Sequence, residues 1–192
     1  MEQNKEMTAQ ESLKLISETL NNSRRSILQN NSKGFILWGV LLMAMSLIIY
    51  FAWHTTGRAA WNLLWFAMPA IGYPLAAYIY KKESHIPQNF VGKLLGHIWA
   101  VFGCFSVVIS AIACFLVPMP ITFAIVLMLG LAECISGVIL KNWPIIIGGF
   151  LFGVGGTIAA MLLRTEAQLL LFTIGGAILA VTGLIVKYQY KQ

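Results

Sequence analysis

Charge is what this 192-residue chain has least of. Only 10% of its residues are Asp, Glu, Lys or Arg, and all seven acids are glutamate. An average soluble domain carries about a quarter charged residues. A surface this poor in charge cannot be wetted on every side, which argues against an ordinary water-soluble domain. Cysteine is also sparse: Cys104, Cys114 and Cys134 all lie within apolar runs. An odd count inside such runs argues against a disulfide framework and suits small apolar packing residues. The three histidines, His54, His85 and His97, are scattered, so no set has metal-ligand spacing. There is no G-x-S-x-G elbow and no phosphate loop, because the paired glycines sit inside long apolar runs rather than after a strand. Catalysis within a membrane needs more than one core carboxylate or histidine, and the chain offers one of each. The expectation is a protein that is not an enzyme and needs no cofactor.

What is abundant is long hydrophobic sequence: 58% of the residues are apolar and the mean hydropathy is +0.77. A helix needs about 20 apolar residues to cross roughly 30 Å of hydrocarbon. Six runs meet that length, at residues 34–53, 60–80, 94–117, 120–140, 144–163 and 167–186. They do not alternate in polarity, which excludes barrel strands. The fold class expected is all-α: a polytopic membrane protein with six transmembrane helices in a bundle. Residues 1–33 form an arm, 34–187 the transmembrane domain and 188–192 a short tail.

The basic residues orient the chain. Lys5, Lys14, Arg24, Arg25, Lys33, Lys81, Lys82, Lys93, Lys141, Lys187 and Lys191 fall on one side of alternating spans, and only Arg58 and Arg164 on the other. By the positive-inside rule both termini are cytoplasmic. The net charge of +6 has the same origin. No basic stripe interleaved with aromatics lies on a soluble element, so nucleic acid is not an expected partner. Membrane lipids are, with anionic headgroups near Arg24, Arg25, Lys81 and Lys82. Trp53 and Trp61 mark the outer boundary, and Trp38, Trp99, Trp143, Tyr78, Tyr80, Tyr188 and Tyr190 the inner one, where amphipathic rings prefer to sit. "SRRSILQ" (Ser23–Gln29) has a twin-arginine look, but the apolar run after it is too long for a signal peptide and lacks an A-x-A site.

The arm is polar but patterned. "TAQE" (Thr8–Glu11) has capping-box spacing. Ala9, Leu13, Ile16, Leu20 and Ile27 then recur at helical spacing, which predicts an amphipathic helix from about Ala9 to Leu28. "NNSKG" is expected to break it before span 1. This helix can lie on the inner leaflet, cover the cytoplasmic mouth of the bundle, or pair with another protein or a second copy in a homo-oligomer. The first two together are the preferred expectation.

Within the spans, small residues allow close helix approach. "IGGFLFGVGG" (Ile147–Gly156) and "IGGAILAVTG" (Ile174–Gly183) align at an offset of 27. Gly149, Gly153, Gly156 and Ala160 form a stripe on span 5, matched by Gly176, Ala180 and Gly183 on span 6. In span 2, Pro69 and Pro74 predict a helix kink. Pro118 and Pro120 leave so short a turn that spans 3 and 4 should be neighbours.

One carboxylate lies deep in this pattern. Glu133 is seven residues before the end of span 4, about 10 Å inside at 1.5 Å per residue. A charge at a span centre costs around 2.5–3.5 kcal/mol on insertion scales. Gly130 and Gly137 share its face, so it points toward packed helix. His97, a turn or two inside span 3, is the expected partner, with Lys141 as a third possibility for the acid. Glu133 and His97 form the candidate intramembrane polar site: either a structural clamp or a proton- or cation-sensing pair.

"ESLKLI" (Glu11–Ile16), "GFILWG" (Gly34–Gly39) and "SGVILKNWPIIIGG" (Ser136–Gly149) resemble an uncharacterised family of small six-span bacterial inner-membrane proteins with a cytoplasmic N-terminal amphipathic helix. The resemblance covers essentially the whole chain. It implies location in a bacterial inner membrane and this architecture, and assigns no functional residues. The expected function is therefore non-enzymatic, structural or regulatory. The alternative is a small proton- or cation-coupled transporter or channel using Glu133 and His97.

Overall fold

The computed structural model describes residues 9–81, 90–117 and 119–189. The proposed cap Thr8, the basic Lys82 and Lys191, and His85 and Pro118 lie outside them. Among the described residues the chain is all-helical, and six helices are long and apolar enough to cross a membrane. In order they are α1 (Ala9–Thr56); a 3-10 helix (Ala59–Phe66) running into α2 (Ala67–Lys81); α3 (Phe90–Phe115); α4 (Ile121–Leu140); α5 (Trp143–Phe150), continued through a π-helical turn (Leu151–Gly155) into α6 (Gly156–Leu162); and α7 (Leu169–Gln189).

The first correction to the sequence reading is α1. Arm and first span are one continuous helix of 48 residues, with no break at "NNSKG". Asn and Ser lower helix propensity by under about 1 kcal/mol each, and Gly by about 1. Packing exceeds that here. Ser32 is buried, and its carbonyl lies 2.9 Å from where a Cβ on Gly183 of α7 would stand. Among the described elements, the contact between α1 and α7 is the most extensive.

The two glycine stripes do not face each other. Gly149 and Gly153 pack on α4, at Gly130 and Cys134, and Gly156 on Val126 of α4. Gly176 and Gly183 pack on α1, at Gly39, Met43, Ile36 and Phe35. Each stripe thus brings a different pair of backbones together. The two helices meet elsewhere: Phe152 of the π-turn packs against Gly175, and Gly148 faces Thr182 and Ile178. The order of contact is therefore α4 on α5–α6, α5 on α7, and α7 on α1, with α2 flanking α1 and α3 touching both α4 and α1.

Burial follows this order. Half of the most apolar stretch of α7 is buried, but none of that of α3. On α3, Cys104, Phe105, Val107, Val108, Cys114 and Phe115 are all exposed. Apolar exposure on this scale is far beyond the patches that monomeric soluble proteins present to water. All three cysteines are free.

Span 2 shows where its prolines act. The 3-10 winding ends at Phe66, α-helix begins at Ala67, Pro69 falls in its first turn and Pro74 inside it. A proline is tolerated in a first turn, where its missing N–H has no intrahelical role. The Trp38 ring of α1 seats on Gly72, 2.6 Å from the position a Cβ would take there.

At the arm end of the helices, Ile27 and Leu28 of α1 join Val91 and Leu95 of α3, Leu140 of α4, Ile145 of α5 and Val186 of α7 in one buried cluster. The α4–α5 turn closes tightly beneath it. Lys141 takes the left-handed conformation (φ 53°), and its N–H bonds back to Val138. Buried Asn142 caps α5, its Oδ1 accepting from Ile145 N–H at 3.3 Å, with Pro144 in the first turn.

Candidate functional site

Glu133 is held by the close contact of α4 with α5 and the π-turn. On α4, Gly130, Glu133 and Gly137 recur at i, i+3 and i+7, one face of a helix. A Cβ on Gly130 would lie 2.2 Å from Gly153 Cα, and one on Gly137 2.7 Å from Ile146 N. Backbones this close leave no route to the surface along that face, and Glu133 is only 2% exposed.

The carboxylate reaches past α5 toward α7. A Cβ on Gly148 would stand 3.2 Å from Glu133 Oε1 and 3.0 Å from Thr182 Oγ1. Gly148 is therefore the gap through which a buried acid and a buried hydroxyl approach each other. Glu133 Oε1 has no hydrogen-bond partner among the described residues. Buried polar atoms without partners are rare, and an ionisable residue within a membrane-length helix is by default a candidate functional residue.

The expected partner is not there. His97 is exposed on α3 and makes no hydrogen bond or ion pair with Glu133. The reason is helical phase. Val91 and Leu95 are the buried positions of α3, and His97 lies two residues past Leu95, roughly 200° around a helix of 3.6 residues per turn. Lys141 is exposed on the left-handed turn after α4 and lines a separate cavity with Arg24 and Arg25. Cys134, next to the acid, packs its Sγ 3.4 Å from Ile146 carbonyl oxygen. Among the described residues no group of three His, Cys, Asp or Glu could hold a metal ion.

Sequence reasoning found Glu133 and its glycine face but missed Gly148 and Thr182. The signal for Thr182 was present: one of two threonine hydroxyls in a largely apolar span, one residue before Gly183. It also missed the inter-helix pair Ser46 and Thr173, whose hydroxyls are 2.7 Å apart between α1 and α7.

The arm forms a second polar focus. Arg24 Nε donates to the carbonyl of Ile139, near the end of α4, at 2.9 Å, and Nη1 donates to Asn21 Oδ1 at 3.3 Å. The last carbonyls of a helix lack intrahelical donors and carry partial negative charge, so a guanidinium there satisfies both. Farther out, Leu13, Leu15 and Ile16 are exposed.

No family model matches the chain, and no curated protein or solved structure matches it either.

Proposed function

We propose that this chain is a non-catalytic, multi-pass protein of a bacterial inner membrane, structural or regulatory in type. In this reading the six apolar helices cross the bilayer, both termini are cytoplasmic, and the first part of α1 is a built-in arm that closes the cytoplasmic end of the helices. The apolar exposure of α2 and α3 and the one-sided distribution of lysine and arginine support insertion and orientation. The observation that carries the regulatory reading is the docking of the arm. Arg24 bonds to Ile139 while Ile27 and Leu28 are buried against four other helices. An arm held at one end of its length and apolar at the other, through Leu13, Leu15 and Ile16, can bind a membrane surface or a protein without leaving its seat.

Trypsin treatment of inside-out vesicles tests this. The chain should be cut at Lys14 but resist cleavage at Arg24 and Arg25. Replacing Ile27 and Leu28 by alanine should release the seated helix and make the chain cleavable at both arginines. Cleavage at Arg24 and Arg25 as fast as at Lys14 in the unaltered protein would end the docked-arm reading.

A second reading, proton or cation movement through Glu133, is favoured by one observation: the unpartnered Oε1. Against it, the region is tightly packed, and Glu133 lines neither the cavity beside the arm nor the apolar groove between α5–α6 and α7. Reconstitution in liposomes with a pH-sensitive dye separates the two. The preferred reading expects no flux, whereas flux that disappears in Glu133→Gln would replace it.

A further inference from the structure

The arm does not meet the α4–α5 turn flush. Between them lies a cavity of about 290 Å³, lined by Asn21, Arg24, Arg25 and Leu28 of α1 and by Leu140 and Lys141 at the end of α4. Three of the six lining residues are cationic and none is acidic. We propose that this cavity binds the phosphodiester headgroup of an anionic phospholipid, which ties the docked arm to the bilayer. The proposal rests on the membrane reading above and names a ligand for its arm.

Four features point to that ligand. The first is the supply of donors. A guanidinium has five N–H groups in a rigid fork. On Arg24 two nitrogens are committed, to Ile139 and Asn21, which fixes its plane and leaves donors free to face the cavity. Arg25 and Lys141 form no side-chain hydrogen bond or ion pair with other described residues. Planar guanidinium groups suit phosphate oxygens, and a lysine adds a point charge.

The second is the electrostatics of the helix end. A helix C-terminus ordinarily repels anions. Here three of the last four carbonyls of α4 are occupied: Ile139 by Arg24, Val138 by the N–H of Lys141 and Gly137 by the N–H of Asn142. With most of that negative end covered, the surrounding cations dominate.

The third is the residue at position 141. Lys141 is the one non-glycine residue with positive φ among the described residues. The position after a helix end that turns left-handed is usually glycine, sometimes asparagine. A long cationic side chain there carries backbone strain that glycine would avoid, and strain of this kind collects at functional positions.

The fourth is amphipathicity and level. Leu28 and Leu140 form the apolar side of the cavity and belong to the buried cluster at the end of the helices. In the proposed threading this is the headgroup level of the inner leaflet. A glycerophosphate meets both surfaces, whereas free phosphate would use only the cations.

The test uses the full-length protein in nanodiscs of phosphatidylcholine with increasing phosphatidylglycerol, read by native mass spectrometry of retained lipid. Each basic side chain facing an anionic headgroup is worth about fivefold in affinity. The unaltered protein should retain phosphatidylglycerol over phosphatidylcholine, and Arg25→Gln and Lys141→Gly should each weaken that preference about fivefold. Lys141→Gly is informative because glycine suits the left-handed turn. Its thermal stability in lipid-free detergent should be unchanged or higher while lipid retention falls, a pair of effects that a purely structural lysine would not produce. Equal retention of the two lipids, or unchanged preference in both variants, would overturn the site. Displacement of the lipid by millimolar inorganic phosphate would overturn the lipid assignment in favour of a soluble phosphate. If the trypsin test shows the arm docked while lipid preference is absent, the site alone fails; if the arm is free, the reading beneath it fails.

Discussion

Replacing Gly130 by alanine tests the claim that backbone contact between α4 and the π-turn holds the buried acid in place. The added Cβ would lie 2.2 Å from Gly153 Cα, 2.6 Å from Gly153 N and 2.7 Å from Gly149 O. All three are backbone atoms, so no side-chain rotation relieves the overlap and the helices must separate. Overpacking of this kind costs about 1–3 kcal/mol, against a propensity gain of up to about 1 kcal/mol for alanine over glycine in a helix. The control is Gly96→Ala on α3, where nothing lies within 4 Å and only the propensity gain remains. The two variants should thus differ by about 1–3 kcal/mol. At about 2–4 °C per kcal/mol for chains of 150–250 residues, thermal unfolding in one detergent should show Gly130→Ala melting some 2–12 °C below Gly96→Ala. Equal melting temperatures, or the reverse order, would refute the packing argument and with it the enclosure of Glu133.

Three further outcomes follow from individual contacts. Asn142→Ala removes the cap on Ile145 N–H at a buried position and should lower stability by about 1 kcal/mol in the same melting assay. Thr173→Val breaks the hydroxyl pair with Ser46 across α1 and α7; hydrogen bonds between membrane helices average about 0.6 kcal/mol, so a small but measurable loss is expected. Glu166→Gln removes a 3.5 Å pair with His54 whose side chains are 63% and 45% exposed; exposed pairs contribute roughly 0–1 kcal/mol, and a melting shift of more than a few degrees would show that the contact is less solvated than it looks.

The long elements were legible because their signal is coarse. Six apolar runs of membrane length correspond to six helices, with edges moved by a few residues, since length and mean hydropathy do not depend on knowing any contact. The continuity of α1 was not legible. "NNSKG" has poor local propensity, and only the packing of Ser32 on Gly183, more than a hundred residues away, overrides it. The glycine stripes could be read as packing surfaces, but their partners could not. Small residues announce close approach without naming the helix that approaches. At the candidate site, Glu133 stood out because one acid in an apolar run is anomalous by itself. His97 drew attention for the same reason, yet its side chain is turned away from α4, because helical phase on α3 is set by Val91 and Leu95. Arg24 was legible as a charge but not as a cap on α4, since its acceptor is a backbone carbonyl that sequence does not distinguish.

The central claim is that six helices thread the membrane with the arm and tail on the cytoplasmic side. It is tested most directly in a cysteine-free chain carrying one new cysteine at a time, at Ser12 in the arm, at Thr165 between α6 and α7, and at Gln192. A membrane-impermeant maleimide applied to intact cells with a permeabilised outer envelope should label position 165 alone, and positions 12 and 192 only after the inner membrane is opened. Labelling at 12 or 192 in the intact state, or its absence at 165, would contradict the account.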